Sequence, residues 1–428
     1  MHDVMKPKSA WPEYLLTYGL IAISGVEYFC RAPAYALGLF LGAVAVAVAR
    51  RVPLTLQPLR IVVVVFVLEL VQALYFDNFV PMSLLTAVVR LLTVYLVIHV
   101  CGLRFVRHFA TIIGASAFIS LPIYLATFVP SIEQFLIQNV ALVYFRPLFE
   151  GTAGIYGVNP NIIIYTFNFH AEDVIGEVLM KRNSGPFWEP GGFAVYLNLA
   201  LVFNLMNHKR LFDRPNSLLM GTILTTFSTA GYVTLFVVVI GYLLTSHARP
   251  AVKLLWLLVL LPAAGLLYSQ TAFLSGKVDQ NISLTREDNT SRFGSAYLDM
   301  IDIARSPLIG FGRLNENRFG QQARSLDTAV HRNNGVTFMA VTYGIPYALA
   351  YFLYVFVFFR RYCRAVGYPA SFALVGLAVV LFCGFSQVLF ERAVLLAFLF
   401  LAERLGQLSH QRNRVTHSSN ALTIPELC

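Results

Sequence analysis

The chain has 428 residues, of which 57% are hydrophobic and only 13% are charged. Soluble domains carry about 25% charged residues because they need a polar surface, so this composition excludes an ordinary soluble protein. The net charge of +10 would suit a nucleic-acid-binding protein, but the basic residues lie in short segments between long apolar runs. We therefore expect no nucleic-acid partner.

Apolar runs of about 20 residues predict membrane-spanning helices, because a helix satisfies every backbone polar group within its own segment. The predicted fold class is an all-α integral membrane protein with about twelve transmembrane helices, forming a single polytopic domain over residues 1–428. The predicted spans are 13–30, 33–49, 59–76, 80–100, 109–129, 191–207, 215–227, 229–246, 254–273, 335–358, 369–387 and 390–403. A turn within 225–231 is expected to make the seventh span short or re-entrant.

The orientation of the spans follows from the basic residues of the short connecting segments. With the N-terminus inside, the cytoplasmic segments hold most of the lysine and arginine, and the tail 404–428 is also cytoplasmic. Two long loops, 130–190 and 274–334, then lie outside. In the first, 135–149 is apolar on one face and predicts an interfacial helix. In the second, 297–304 predicts an amphipathic helix that stops at 305–307.

The segment 181–193, with the sequence KRNSGPFWEPGGF, lies at the outer end of a predicted span. Its prolines, glycines and tryptophan predict a fixed turn between Arg182 and Glu189. A guanidinium there can bind phosphate through two parallel hydrogen bonds. A carboxylate at the edge of a low-dielectric region can accept a proton near neutral pH. The alternative is an aromatic anchor with a surface ion pair, and residue types alone do not decide between the two.

A second polar cluster, HRNNG at 331–335, precedes the tenth predicted span. Histidine titrates near physiological pH, which makes His331 a candidate general base beside the substrate-binding candidates Arg332 and Asn333. The alternative is a polar helix cap, with Asn333 or Asn334 as the N-cap residue. Its position on the same outer face as the first cluster favours a functional role.

Two charged residues, Glu69 and Arg90, lie near the middle of neighbouring predicted spans. Charges within a membrane are costly and are therefore paired or functional. A structural Glu69–Arg90 ion pair is the simpler interpretation, and a role for Arg90 in substrate binding is the alternative. Glu391 and Arg392 lie at the interface and carry less information.

The sequence contains no motif for a soluble cofactor or a metal–nucleotide complex. A Walker loop, a GxGxxG after a strand, an HExxH and a DxD-like pair are all missing. The five cysteines are scattered and form no metal-binding pattern. We expect no metal and no cofactor. The two halves of the chain show no duplication, which counts against transporter folds built from repeats.

Four patches follow one another in the chain: RNSGPFWEPGGF at 182–193 with YLNLAL at 196–201; TTFSTAGY at 225–232; Arg292-Phe293 with SPLIGFG at 306–312; and 331–335 with Tyr343-Gly344. Together they resemble the O-antigen polymerase family of bacterial polysaccharide assembly. The first 130 residues resemble the family only in topology. Some members space an arginine from a glycine in each long loop. The spacings here, Arg182 to Gly192 and Arg292 to Gly310, differ, which leaves open which arginine holds which phosphate.

The resemblance implies a GT-C-like, metal-independent glycosyltransferase of the bacterial inner membrane whose active site faces the periplasm. It would polymerise oligosaccharide repeat units linked to undecaprenyl pyrophosphate. Arg182 and Arg292 would bind the pyrophosphate and offset charge on the leaving group. Glu189 or His331 would deprotonate the acceptor hydroxyl, whose direct attack would invert the anomeric carbon. Membrane lipid and a chain-length regulator protein are the expected partners.

Two other functions stay open at the level of sequence. The O-antigen ligase of the same superfamily would transfer finished glycan to lipid A core. A flippase or transporter for lipid-linked oligosaccharides would show polar residues along a central path through several helices. Only Glu69 and Arg90 lie deep in the predicted spans, which favours the polymerase over the transporter.

Overall fold

The computed structural model describes residues 10–30, 33–52, 55–56, 58–145, 159–167, 172–175, 178–246, 291–320 and 332–421, with a few positions between 249 and 262. This part of the chain is mostly helical. Its helices are α1 (Trp11–Gly25), α2 (Glu27–Cys30), α3 (Pro33–Ala49), α4 (Leu59–Tyr75), α5 (Pro81–Cys101), α6 (Arg104–Ala126), α7 (Pro130–Phe135), α8 (Pro190–His208), α9 (Arg214–Thr225), α10 (Thr229–Thr245), α11 (Arg292–Arg305), α12 (Asn315–Phe319), α13 (Gly335–Tyr343), α14 (Ile345–Ala365), α15 (Phe372–Ser386) and α16 (Ala393–Ala421).

The first predicted outer loop also contains regular structure. A π-helical stretch, Leu136–Phe145, continues α7, so the helix predicted over 135–149 is confirmed as far as its described residues reach. Strands β1 (Glu172–Ile175) and β2 (Val178–Lys181) form an antiparallel hairpin that leads directly into the 182–189 turn.

The prediction of a mainly helical protein is confirmed. Helices fall on every predicted span except 254–273, which lies almost wholly outside the described residues. Among the described helices, α5 and α6 are long and apolar enough to cross a membrane, and α3, α10 and α15 are apolar but shorter. By length and composition, α5 and α6 suggest a membrane protein, and the twelve-span topology stays a prediction.

Helix α8 lies at the centre of the bundle. Nearly all of its side chains are buried, including those on opposite faces such as Phe193, Tyr196 and Leu199. A helix that is apolar all round is stable only when it is enclosed, and α6, α9, α10 and α15 pack around it. The amide of Asn198 donates to the carbonyl of Gly231 at 3.2 Å and ties α8 to α10. The N-terminus of α8 therefore has a fixed place.

The tenth predicted span, 335–358, is not one helix. It breaks at Gly344, which has a φ of +84° and separates α13 from α14. The break frees carbonyl groups that the segment 307–312 satisfies. Phe311 N–H donates to Val341 O at 2.8 Å, and Gly312 N–H donates to Thr342 O at 2.9 Å. Ile345 N–H in turn donates to the Pro307 carbonyl at 2.8 Å, so the second long loop is bound to the break by its backbone.

The helix stop predicted at 305–307 is confirmed, because helix α11 ends at Arg305. The helix begins earlier than the predicted stretch 297–304, after Ser291, whose hydroxyl accepts from Gly294 N–H at 2.8 Å. Asn334 is the N-cap of α13, because its side-chain oxygen accepts from Val336 N–H at 3.0 Å. An asparagine at this position satisfies donors that have no partner within the helix.

The contact between 307–312 and the helix break predicts a large difference between two glycines. Gly310 and Gly320 have φ values of +68° and +73°. A Cβ on Gly310 would lie 2.5 Å from Thr342 O, whereas a Cβ on Gly320 would meet no described atom within 4 Å. Both alanine variants bear a conformational cost of about 1–2 kcal/mol. We expect Gly310→Ala to lower the free energy of unfolding by at least ~2 kcal/mol more than Gly320→Ala.

Thermal and denaturant unfolding of the purified protein in detergent measures this difference. Equal stability of the two variants would show that the 307–312 segment does not pack tightly on the break.

Candidate functional site

The turn between the β-hairpin and α8 is held by one buried side chain, Asn183. Its amide nitrogen donates to Ser120 Oγ at 3.1 Å and to Thr225 Oγ1 at 3.0 Å, and its oxygen accepts from Gly185 N–H at 2.9 Å. Its backbone N–H donates to Thr225 O at 2.9 Å. These bonds fix the turn to α6 and to the end of α9, as the Pro- and Gly-rich sequence predicted.

Arg182 precedes this anchor and lies against the turn between α9 and α10. Its Nε donates to the carbonyl of Thr226 at 3.1 Å. The break between α9 and α10 confirms the predicted turn within 225–231, where Ser228 caps α10 by accepting from Gly231 N–H at 3.2 Å. Arg182 is thus held by a backbone carbonyl at the turn between these two helices.

Glu189 is the N-cap residue of α8, yet its carboxylate does not cap the helix. Its Oε1 accepts instead from the side-chain amide of Gln387, the residue that follows α15. Glu189 Oε1, Gln387 Nε2 and Ser228 Oγ all lie within 4 Å of the position that a Cβ on Gly191 would occupy. The absence of a side chain at Gly191 leaves space at this carboxylate.

Arg292, at the start of α11 in the second loop, lies close enough to Glu189 for their charges to interact. Its Nη1 donates to Asn333 O at 2.8 Å, and its carbonyl accepts from the Asn334 side chain at 3.4 Å. Burial lowers the pKa of Arg292 from its ordinary value, and the charge of Glu189 opposes that effect. We call Glu189, Gln387, Arg292 and Asn333 the Glu189 cluster. His331 lies outside the described residues.

Arg332 belongs to a separate network beneath α11, which we call the Asp299 cluster. Asp299 is fully buried and accepts from Arg318 Nη2 at 2.6 Å and from the Thr337 hydroxyl at 2.5 Å, and Arg332 Nε lies 3.8 Å from it. Burial raises the pKa of Asp299, against the Thr337 hydroxyl and the Arg318 charge, which lower it. The predicted substrate-binding Arg332 is therefore held beside a buried carboxylate, and the next residue, Asn333, reaches the Glu189 cluster.

The predicted Glu69–Arg90 ion pair is wrong. Glu69 pairs with Arg313, whose Nε lies 2.9 Å from Oε1 and whose Nη2 donates to Oε2 at 3.1 Å. Arg90 instead donates to the carbonyl of Glu391 at 3.2 Å and lies 4.0 Å from its carboxylate. The reason is that the second loop inserts Arg313 between α4 and α5, and spacing within the predicted spans carries no information about that insertion.

The segment between α15 and α16 joins these charges to the Glu189 cluster. Gln387 binds Glu189, and four residues later Glu391 accepts from the Tyr343 hydroxyl at 3.0 Å. We call Glu69, Arg90, Arg313, Tyr343 and Glu391 the Glu69 cluster. Arg90 is therefore not in direct contact with Glu189. The segment between α15 and α16 nevertheless contributes one residue to each cluster, Gln387 to the first and Glu391 to the second.

Comparisons of the chain with protein-family models, with curated proteins and with solved structures find no match. Among the described residues, no group of three or more His, Cys, Asp or Glu side chains could hold a metal ion.

The chemistry available at the Glu189 cluster follows from its donors and acceptors. A carboxylate held by an amide can accept a proton from a hydroxyl group, and a buried guanidinium can offset negative charge that develops nearby. Sequence reasoning found Glu189 and Arg292 but missed Gln387 and Arg313. Gln387 lies in an apolar stretch with no motif around it. Arg313 follows the Gly-Phe-Gly turn at 310–312, which could have drawn attention to it.

Asp302, which lies beside Asp299, binds two arginines, and we expect their substitution to have unequal effects on stability. Arg318 donates to Asp302 at 2.5 Å with 6% of its side chain exposed, and Arg305 donates to it at 3.2 Å with 59% exposed. Removing one partner of a buried ion pair costs about 3–5 kcal/mol, whereas an exposed pair contributes about 0–1 kcal/mol. We expect Arg318→Met to lower the free energy of unfolding by ~3 kcal/mol or more, and Arg305→Met by less than ~1 kcal/mol.

Unfolding of the two purified variants in the same detergent tests this expectation. A loss for Arg318→Met no larger than for Arg305→Met would mean that the Asp299 cluster does not stabilise the second loop.

Proposed function

We propose that the protein is a membrane glycosyltransferase that polymerises oligosaccharide repeat units carried on undecaprenyl pyrophosphate. The observation that carries the proposal is that Arg292, from the second loop, lies close enough to Glu189, at the N-terminus of the buried helix α8, for their charges to interact. These two residues belong to separate patches of the resemblance. Their proximity supports a shared role, because residues that do chemistry together must lie near one another.

In the proposed reaction, the Glu189 carboxylate accepts the proton of the acceptor sugar hydroxyl. The hydroxyl oxygen forms a bond to the anomeric carbon of the donor, and the bond from that carbon to the pyrophosphate oxygen breaks. Undecaprenyl pyrophosphate leaves with the electron pair, and the anomeric configuration inverts. Arg292 and Arg182 offset the charge of the leaving group, and Gln387 positions the carboxylate.

We also propose that the bundle crosses the bacterial inner membrane about twelve times, with the Glu189 cluster on the periplasmic side. Apolar side chains exposed on α4, α5 and α6 support lipid contact; examples are Val64, Leu74, Leu85, Phe118 and Leu125, each more than half exposed. Arg182 and Glu189 lie at one end of α8, and the basic segment Lys209–Arg210 follows its other end. That distribution of charge agrees with the predicted orientation.

The first test of the proposal compares two arginines of α11 in the living host. Arg292, at the start of the helix, lies in the Glu189 cluster, whereas the exposed Arg305, at its end, does not. In a deletion strain, we expect Arg305→Ala to restore long polysaccharide chains and Arg292→Ala to leave single repeat units, as judged by gel banding at matched protein levels. Long chains made with Arg292→Ala would contradict the proposal.

The deletion strain also separates the polymerase from its rivals. A polymerase deletion retains core capped with one repeat unit, whereas a ligase deletion has no capped core. Purified protein that moves lipid-linked substrate across a bilayer but never lengthens it would instead be a flippase.

The second test concerns the proton acceptor. We expect Glu189→Gln to lower kcat for repeat-unit transfer by about 10²–10⁴-fold with the purified protein and lipid-linked donor, because a glutamine cannot accept the proton. We expect Gln387→Ala to lower it less, since the carboxylate remains. A normal kcat for Glu189→Gln would exclude Glu189 as the base, and a loss in His331→Gln would then assign the role to His331.

A further inference from the structure

An apolar groove lies between α4 and α5. Its volume is about 330 Å³, and its walls carry no polar surface. The walls include Val63 and Phe66 from α4, Phe79 from the connecting turn, and Leu84 and Leu85 from α5. It follows α5 from Pro81 to Val88, a length of about 10 Å at 1.5 Å per residue. This shape suits a chain of hydrocarbon, and a polar head group finds no partner within it.

A small polar recess adjoins the groove near the start of α5. Phe79 and Leu84 line both spaces, so the two are direct neighbours. The recess is lined by polar side chains from both sides, including Asn78, Ser83 and Arg313. Hydrocarbon in the groove therefore ends beside hydrogen-bond donors.

Arg313 offers a donor to a ligand in the recess, beside the Glu69 carboxylate with which it pairs. Arg313 uses Nε and Nη2 for Glu69 and Ser83, and its Nη1 makes no hydrogen bond to a described residue. The side chain is 14% exposed, so Nη1 can reach a ligand in the recess. A guanidinium that is already held in place by a carboxylate loses little freedom when it binds a phosphate.

The recess shares two lining residues with a second cavity. Glu69 and Arg313 line both spaces, and Arg90 and Glu391 also line the second. Glu391 lies four residues after Gln387, which belongs to the Glu189 cluster. A lipid head group in the recess would therefore lie beside the Glu69 cluster.

We propose that the groove between α4 and α5 binds the polyprenyl tail of the lipid carrier and that Arg313 contacts its phosphate. This rests on the proposed function for the identity of the lipid, and adds where that lipid binds. The proposed lipid site is formed by α4, α5 and Arg313, and these residues are outside the motifs that carry the resemblance.

The experiment uses the full-length protein and undecaprenyl phosphate as the probe, with binding measured by native mass spectrometry. Leu85→Trp fills the groove, and Leu74→Trp is the matched control, since Leu74 is an exposed leucine of α4 that does not line it. We expect Leu85→Trp to weaken binding at least tenfold and Leu74→Trp to leave it unchanged. Arg313→Gln should weaken binding of undecaprenyl phosphate but not of undecaprenol, and Arg313→Lys should retain most of it.

Each possible result either supports or overturns a stated part of the proposal. Unchanged binding in Leu85→Trp overturns the proposal, and so does displacement of the probe by equimolar phosphatidylglycerol, which would make the groove a general membrane-lipid site. Equal losses for the phosphate and the alcohol in Arg313→Gln would overturn the role of Arg313. Binding is read without glycosyl transfer. Specific binding by a protein that never lengthens glycan would therefore defeat the proposed function alone, and normal transfer kinetics in Leu85→Trp would defeat the groove alone.

Discussion

The architecture depends on how the backbone groups freed at Gly344 are satisfied. A helix that breaks inside a packed bundle leaves carbonyls without partners, and an unpaired buried carbonyl costs as much as a lost hydrogen bond. Segment 307–312 pairs with those carbonyls, and the Gln72 side chain donates to Thr342 O at 2.8 Å. The described part of the second long loop is consequently packed into the bundle. Helix α11, which lies just before this segment, is carried with it, and so is Arg292.

A second constraint is the burial of nearly all of α8. Because packed helices surround it, its N-terminus cannot shift without disturbing the core, and Glu189 shares that rigidity. The opposing arginine arrives on a loop that is held by backbone hydrogen bonds. A carboxylate on a rigid element facing a guanidinium on a bound loop is preorganised, which is what stabilisation of developing charge requires.

Local patterns were enough to predict most of the helices and several of their ends. Apolar runs located α3 to α6 and α8 to α10. The two asparagines before α13 were candidates for its N-cap residue, and Asn334 occupies that position. Glu189 and Arg292 were found because they lie in motifs. The partner of Glu69 was not, because Arg313 is far away in sequence and reaches α4 only through tertiary packing. The break at Gly344 was also missed, since hydrophobicity continues across it and gives no sign that carbonyls there bind another segment.

The pairing of 307–312 with the broken helix distinguishes residues that are required for packing from residues that could take part in a reaction. Its hydrogen bonds join main chain to main chain, so any side chain small enough to permit the approach would serve, and at Gly310 and Gly344 only hydrogen is small enough. These two glycines belong to the patches that resemble a polymerase family, but their identity reports how closely two backbones meet. The fold alone therefore explains these glycines. Within the patches, only the charged residues in the turn before α8 and at the start of α11 give information about a reaction.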